Sequence, residues 1–196
     1  VISGDVYLEK IRPKIQEFFE KPSRQISQSI YVPQEPMQLG RRDSFVNFTN
    51  PITRFWMAWK IPSITDKDTA AIDVMAVILG QGRSSRLFRS LKEELGLVHS
   101  INAYSYTPSY AGIFAIGAGI DSSNKHVVEQ KVFDILNKVK NEGIDEEEIQ
   151  KAKRIALVSQ LESLLTVQGQ ASDIGSNWSV TRNVDFTKEY IKRISM

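Results

Sequence analysis

An α+β domain, with helices packed on one face of an antiparallel sheet, is the fold class this sequence predicts. Three observations carry that reading. Short segments with strand alternation come in neighbouring pairs joined by tight turns, which favours antiparallel pairing. Longer segments with apolar residues three and four apart lie between and after them, as helices covering a sheet require. The composition, 41% hydrophobic and 24% charged over 196 residues, is that of an ordinary globular chain able to bury a core.

The elements follow in order. Val1 to Val6 reads as the end of a strand, turned by Gly4-Asp5. A helix is expected over about Tyr7 to Glu20, with Leu8, Ile11, Ile15 and Phe18/Phe19 on one face and Pro13 near its first turns. From Lys21 to Gly40 the residues Pro22, Pro33 and Pro36 punctuate an extended connector, the best domain boundary in the chain. Arg42 to Thr49 alternates around Phe45-Val46-Asn47-Phe48, and Arg54 to Lys60 carries Phe55, Trp56, Met57 and Trp59. Both read as strands, joined across Asn50-Pro51.

Thr65 is placed to cap a helix running to Leu79. The loop Gly80-Gln-Gly82-Arg follows, then an amphipathic helix capped by Ser84/Ser85 and stopped at Gly96. Val98 to Tyr106 and Gly112 to Ile120 read as two more strands, turned at Pro108-Ser109-Tyr110. A helix over about Ser123 to Asn141 ends at Gly143. A long helix starts behind Asp145, whose three following glutamates suit a positive helix end. Gly169 and Gly175 are expected to bend or interrupt it, and Phe186 to Ile194 forms a last short helix.

Composition also excludes. A net charge of +2 without a dense Lys/Arg block argues against nucleic acid as partner. No apolar stretch reaches the roughly 18 to 20 residues of a membrane span. With no cysteine and two histidines, His99 and His126, on different elements, the chain lacks a zinc ligand set of three or four residues, and no metal is expected in this segment. His126 reads as a solvated residue. No serine lies in a Gly-x-Ser-x-Gly elbow. The Gly80/Gly82 loop invites a phosphate-cradle reading, but a helix rather than a strand precedes it and the third glycine of the dinucleotide fingerprint is missing. A tight interhelical connection and a glycine loop facing a substrate cavity both remain open for it.

Lys92 and His99 are the sharpest polar pair, one near a helix end and one at a strand start, seven residues apart. Both can donate hydrogen bonds to a carbonyl or an oxyanion. A solvated lysine and a half-buried strand histidine are the plainer account of the same spacing.

Four segments, in order, resemble the pitrilysin-type (M16) zinc metallopeptidases, specifically the second, non-zinc domain of a half-enzyme. They are Val1-Ile-Ser-Gly-Asp-Val6 with the helix after it, Leu79-Gly-x-Gly-x-Ser-Ser-Arg-Leu-Phe88, Leu91-Lys-Glu-x-x-Gly-Leu-x-His-Ser100, and Gly143-Ile-Asp-Glu-Glu-Glu-Ile-x-Lys-Ala-Lys153. The resemblance implies the LuxS/MPP-like metallohydrolase fold. It implies residues 1–20 as the end of a preceding domain, 21–40 as the connector and 41–196 as the domain itself.

It further implies that zinc and the general base lie in a partner domain or homologous subunit, while this segment encloses and binds a peptide substrate. The family's paired Arg and Tyr fall on Lys92 and His99, so both depart from the pattern. Lysine keeps the charge without the bidentate fork, and histidine keeps a donor but titrates near neutrality. Expected substrate-binding residues are therefore Lys92, His99, Gly80 and Gly82. A catalytically silent scaffold or assembly subunit of the same fold is the alternative.

The opening without an initiator Met suggests a piece of a longer polypeptide, its compartment open. An unpaired sheet edge in such a piece favours a homodimer.

Overall fold

The computed structural model describes residues 1–20, 31–33 and 36–196, which group as two compact units, residues 2–49 and residues 50–196. In the first unit, α1 (Leu8–Phe19) carries Pro13 inside it, and its apolar residues Leu8, Ile15, Phe18 and Phe19 are all exposed. Val1 to Val6 and residues 41–49 form no strand. Their alternation is real, but the ladders among the described residues join other segments, so Phe45, Val46 and Phe48 stay on the surface. Pro22 and much of the expected connector lie outside the described residues.

The second unit holds the sheet. β1 (Thr53–Ile61), β2 (Val98–Tyr106) and β3 (Gly112–Ile120) run in the order β1-β3-β2, antiparallel throughout. β3 is central because the hairpin at 107–111 sets it beside β2, while β1 takes its other edge, Thr53 opposite Ile120 and Ile61 opposite Gly112. Alternation decides the faces. Phe114, Ile116, Ala118 and Ile120 of β3 and Ile101 and Ala103 of β2 turn into a core closed by Leu79, Leu87, Leu91, Val128 and Val132. On β1 the same rule separates the two tryptophans. Trp59 packs on Phe114 in the core, whereas Trp56 is exposed and meets Tyr104 edge-on at 5.9 Å.

Helix α2 (Thr69–Gly80) starts four residues after Thr65. The carboxylate of Asp66 accepts the Asp68 N–H (2.9 Å) and its carbonyl the Thr69 N–H, a local turn that takes over the start, while the Thr65 hydroxyl engages Ser63. Beyond the sheet come α3 (Lys125–Glu142), ending at Gly143, α4 (Glu146–Ser163) behind Asp145, α5 (Val167–Thr181) and α6 (Phe186–Ser195). The break in the long helix falls at 164–166, before Gly169. Thr166 caps α5 there by accepting the Gly169 N–H at 2.9 Å. A second core joins α2, α4 and α6 through Val74, Val77, Ile78, Ala152 and Ile194.

One polar cluster fastens these layers. Asp73 on α2 accepts hydrogen bonds from Ser105 on β2 and from the Tyr190 hydroxyl on α6 (2.5 Å). Burial, with the charge of Asp73 beside it, pushes the Tyr190 phenol far above the ordinary tyrosine range, so it remains a donor.

Candidate functional site

Between Arg86 and His99 the chain makes one structural unit. Leu87 and Leu91 are fully buried against the sheet and anchor the helix after the glycine loop. That helix is a π-helix, Phe88–Glu94, wider than the α-helix its apolar spacing suggests. Gly96 adopts φ 60°, and across it the Leu97 N–H reaches back to the Leu91 carbonyl at 2.9 Å, while Leu95 reaches Ser90 at 3.1 Å. The glycine satisfies carbonyls at the helix end and turns the chain into β2.

Lys92 stands in the last turn, exposed, its Nζ 5.1 Å from the centre of the Phe88 ring. That contact with the ring face holds the ammonium near the helix while leaving its donors to solvent. His99 occupies an irregular place in the ladder. Val98 pairs with Ile120 and Ser100 with Gly119, so His99 is the extra residue of a β-bulge. A bulge turns a side chain away from the regular alternation. Its Nε2 lies 3.0 Å from Asp121 Oδ1, and both side chains are more than half exposed. Asn124 donates from Nδ2 to the Leu97 carbonyl (3.2 Å), tying the start of α3 to the segment between the two.

Lys92 and His99 therefore flank one turn, each with its own partner and with no hydrogen bond joining them. Gly80 serves differently. It is buried, and a Cβ there would meet the Ala103 backbone nitrogen at 2.1 Å, so its absence lets α2 lie directly on β2. Gly82 is exposed at φ 79°, with open space around it. Its carbonyl accepts both the N–H (3.2 Å) and the hydroxyl (2.8 Å) of Ser85, so Ser85 closes a turn instead of capping the helix as its position suggests. His126 is exposed in the first turn of α3.

Two features escape a reading of the sequence. Arg86 grips Glu148, the third glutamate of the α4 start, through Nε (3.0 Å) and Nη2 (2.5 Å). That hydrogen bonding raises the guanidinium's already high pKa further. Sixty-two residues separate the partners, and no local pattern signals them. Asp121 was legible in principle. In a hairpin of Val98–Tyr106 with Gly112–Ile120, the residue after the second strand falls beside the start of the first.

A groove of about 490 Å³ runs between the π-helix and the α3–α4 junction, past Arg86, Arg89, Glu94, Lys138 and Glu142. None of the four expected site residues lines it. Its charges are largely spent on one another, Arg89 on Glu94 and Lys138 on Glu142. Among the described residues no group of three or more His, Asp or Glu is placed to hold a metal ion. No described helix is long and apolar enough to cross a membrane.

Comparison with known proteins is consistent with this geometry. The profile of the family described as "Peptidase M16 inactive domain" matches residues 1–156. A Helicobacter pylori protein named zinc protease PqqE is 25% identical over 199 residues, covering 97% of this chain and 45% of that protein. An uncharacterized zinc protease of Rickettsia felis is 26% identical, covering 91% of this chain and 42% of its own length. The crystal structure of a protease from Helicobacter pylori superposes with a TM-score of 0.86 at 22% identity, over 98% of this chain and 47% of that one. This chain thus spans less than half the length of each.

Proposed function

The chain belongs to the peptidase M16 family, as its inactive domain, and from that premise we propose that it encloses and holds a peptide whose cleavage takes place on a partner domain. Supporting this is the placement of Lys92 and His99. Both polar groups flank one rigid turn, fixed by buried Leu87 and Leu91 on one side and by the sheet on the other. An ammonium and an imidazole held on well-packed backbone meet a peptide at low entropic cost.

In this reading Lys92 donates to a carbonyl of the bound peptide and His99 bonds the backbone nearby. Gly82 leaves open space beside the turn, and Gly80 acts by packing the helix that carries the loop. Zinc and the base that activates water belong to a partner domain or homologous subunit, the counterpart of the half of the relatives that this chain does not span. We assign residues 1–20 to the end of a preceding domain, 21–40 to the connector and 41–196 to the peptide-holding domain. The exposed apolar side of α1 supports the first of these, since Leu8, Phe18 and Phe19 have no cover in their own compact unit. In a sheet where β1 and β2 are the edges, pairing with a second copy is open as well.

The test is kinetic. Full-length protein with Lys92→Ala and His99→Ala together should cleave a peptide with kcat/KM lowered about tenfold, roughly the worth of one or two hydrogen bonds to a charged or polar donor. Bound zinc should be unchanged. Turnover equal to that of the unmodified protein would remove both residues from the reaction and favour a silent scaffold.

A further inference from the structure

Resting on that peptide-holding role and refining it, we infer that Asp121 is a positioning residue that fixes the His99 ring and decides which of its nitrogens a peptide meets. His99 lies in the bulge, outside the regular ladder, so the pleat of β2 does not set its direction. Asp121 does. It follows directly on Ile120, whose pairing with Val98 closes the ladder at this end. Its own carbonyl accepts the Asn124 N–H at 2.9 Å, opening the turn into α3. The Asn124 side chain in turn holds Leu97, two residues before His99. Both ends of the His99–Asp121 contact are thereby tied to the same small frame.

The chemistry then has one solution for a neutral ring. An ionised carboxylate only accepts, so the hydrogen in the 3.0 Å contact sits on Nε2. Nδ1 is left with its lone pair, an acceptor. Lys92 only donates. The two together offer one donor and one acceptor, the complement of the C=O and N–H groups of a peptide backbone. A pair of pure donors reads carbonyls alone. The class of ligand is therefore an extended peptide recognised through both backbone groups, without regard to its side chains.

The experiment uses the 196-residue chain with 15N- and 13C-labelled histidine, at a pH well above the ordinary histidine value of about 6.5. Couplings give the tautomer and relaxation gives the ring order, with His126 as internal reference. His99 should carry its hydrogen on Nε2 with a ring order parameter near the rigid value of about 0.85. Asp121→Ala should drop it below about 0.6, and Asp121→Asn, which keeps an acceptor oxygen, should restore it. A hydrogen on Nδ1, or a ring equally mobile with and without the carboxylate, overturns the assignment. A second arm adds blocked hexa-alanine. Movement of the Nδ1 resonance without a change of tautomer supports the ligand class. A fixed ring whose Nδ1 resonance ignores the peptide leaves the positioning intact and sinks the peptide-holding role instead.

Discussion

Gly80→Ala is expected to cost about 3 kcal/mol, the upper end of what overpacking a tight interior contact costs, and to lower the unfolding midpoint by roughly 6–12 °C. The added Cβ would sit 2.1 Å from the Ala103 nitrogen, 2.6 Å from the Ala103 Cβ and 2.7 Å from the Asn102 carbonyl carbon. Those are backbone atoms, or one bond from it, in a strand paired with β3. No flexible side chain can swing away, so α2 and β2 must part. The internal control is Gly82→Ala, two residues on, where nothing lies within 4 Å and the only penalty is an alanine at φ 79°. That change should cost about 1 kcal/mol. Thermal unfolding of the two variants side by side checks the order. A larger loss at Gly82 contradicts the packing described for α2 on β2.

Leu91→Ala is the second large effect. Leu91 is completely buried in the middle of the π-helix, in the core that also holds Leu79, Leu87, Ile120, Val128 and Val132. Removing its side chain should cost about 2–5 kcal/mol, the span for leucines whose cavity cannot collapse. Collapse is opposed here because the layer is bounded by a sheet on one side and by α3 on the other. The π-helix is also the element that carries Lys92, so loosening its anchor disturbs the turn to His99 as well as the core. Equilibrium denaturation reads the loss. A value below about 1 kcal/mol would mean that the π-helix is not packed as described.

Much of this architecture can be read from the residues, and the exceptions have physical causes. The two edge strands were legible because their alternation coincides with burial, as Ile101/Ala103 against Asn102/Tyr104 illustrates, whereas β3 was legible as an apolar run and is buried along most of its length. The start of α4 was legible from Asp145 and its glutamates, and the end of α3 from Gly143. Alternation at Phe45 to Phe48 misled because a strand needs a partner ladder, and none of the described strands supplies one.

The α2 start moved because the Asp66 turn takes the place of the Thr65 cap, the Thr65 hydroxyl engaging Ser63 instead. The π-register could not be read at all. Leu87, Phe88, Leu91 and Leu95 suit an α-helix equally well over two turns, and the bonds across Gly96 decide between them. Pairs such as Arg86–Glu148 and Asp73–Tyr190 depend on tertiary placement and leave no local trace.

For the candidate site, motif resemblance located Lys92 and His99, and the geometry adds the bulge and Asp121 that spacing did not reveal. Gly80 gains a packing reason that its place in a glycine loop hides.

The peptide-holding role is tested most directly by photo-cross-linking. A peptide substrate carrying a diazirine at a residue next to its cleaved bond is bound to the full-length protein with zinc removed, irradiated, and the adducts are mapped by mass spectrometry. Adducts concentrated between Phe88 and Asn102, and lost in competition with unlabelled peptide, are the expected result. Competable adducts confined to other parts of the protein, with that segment unlabelled, would contradict it.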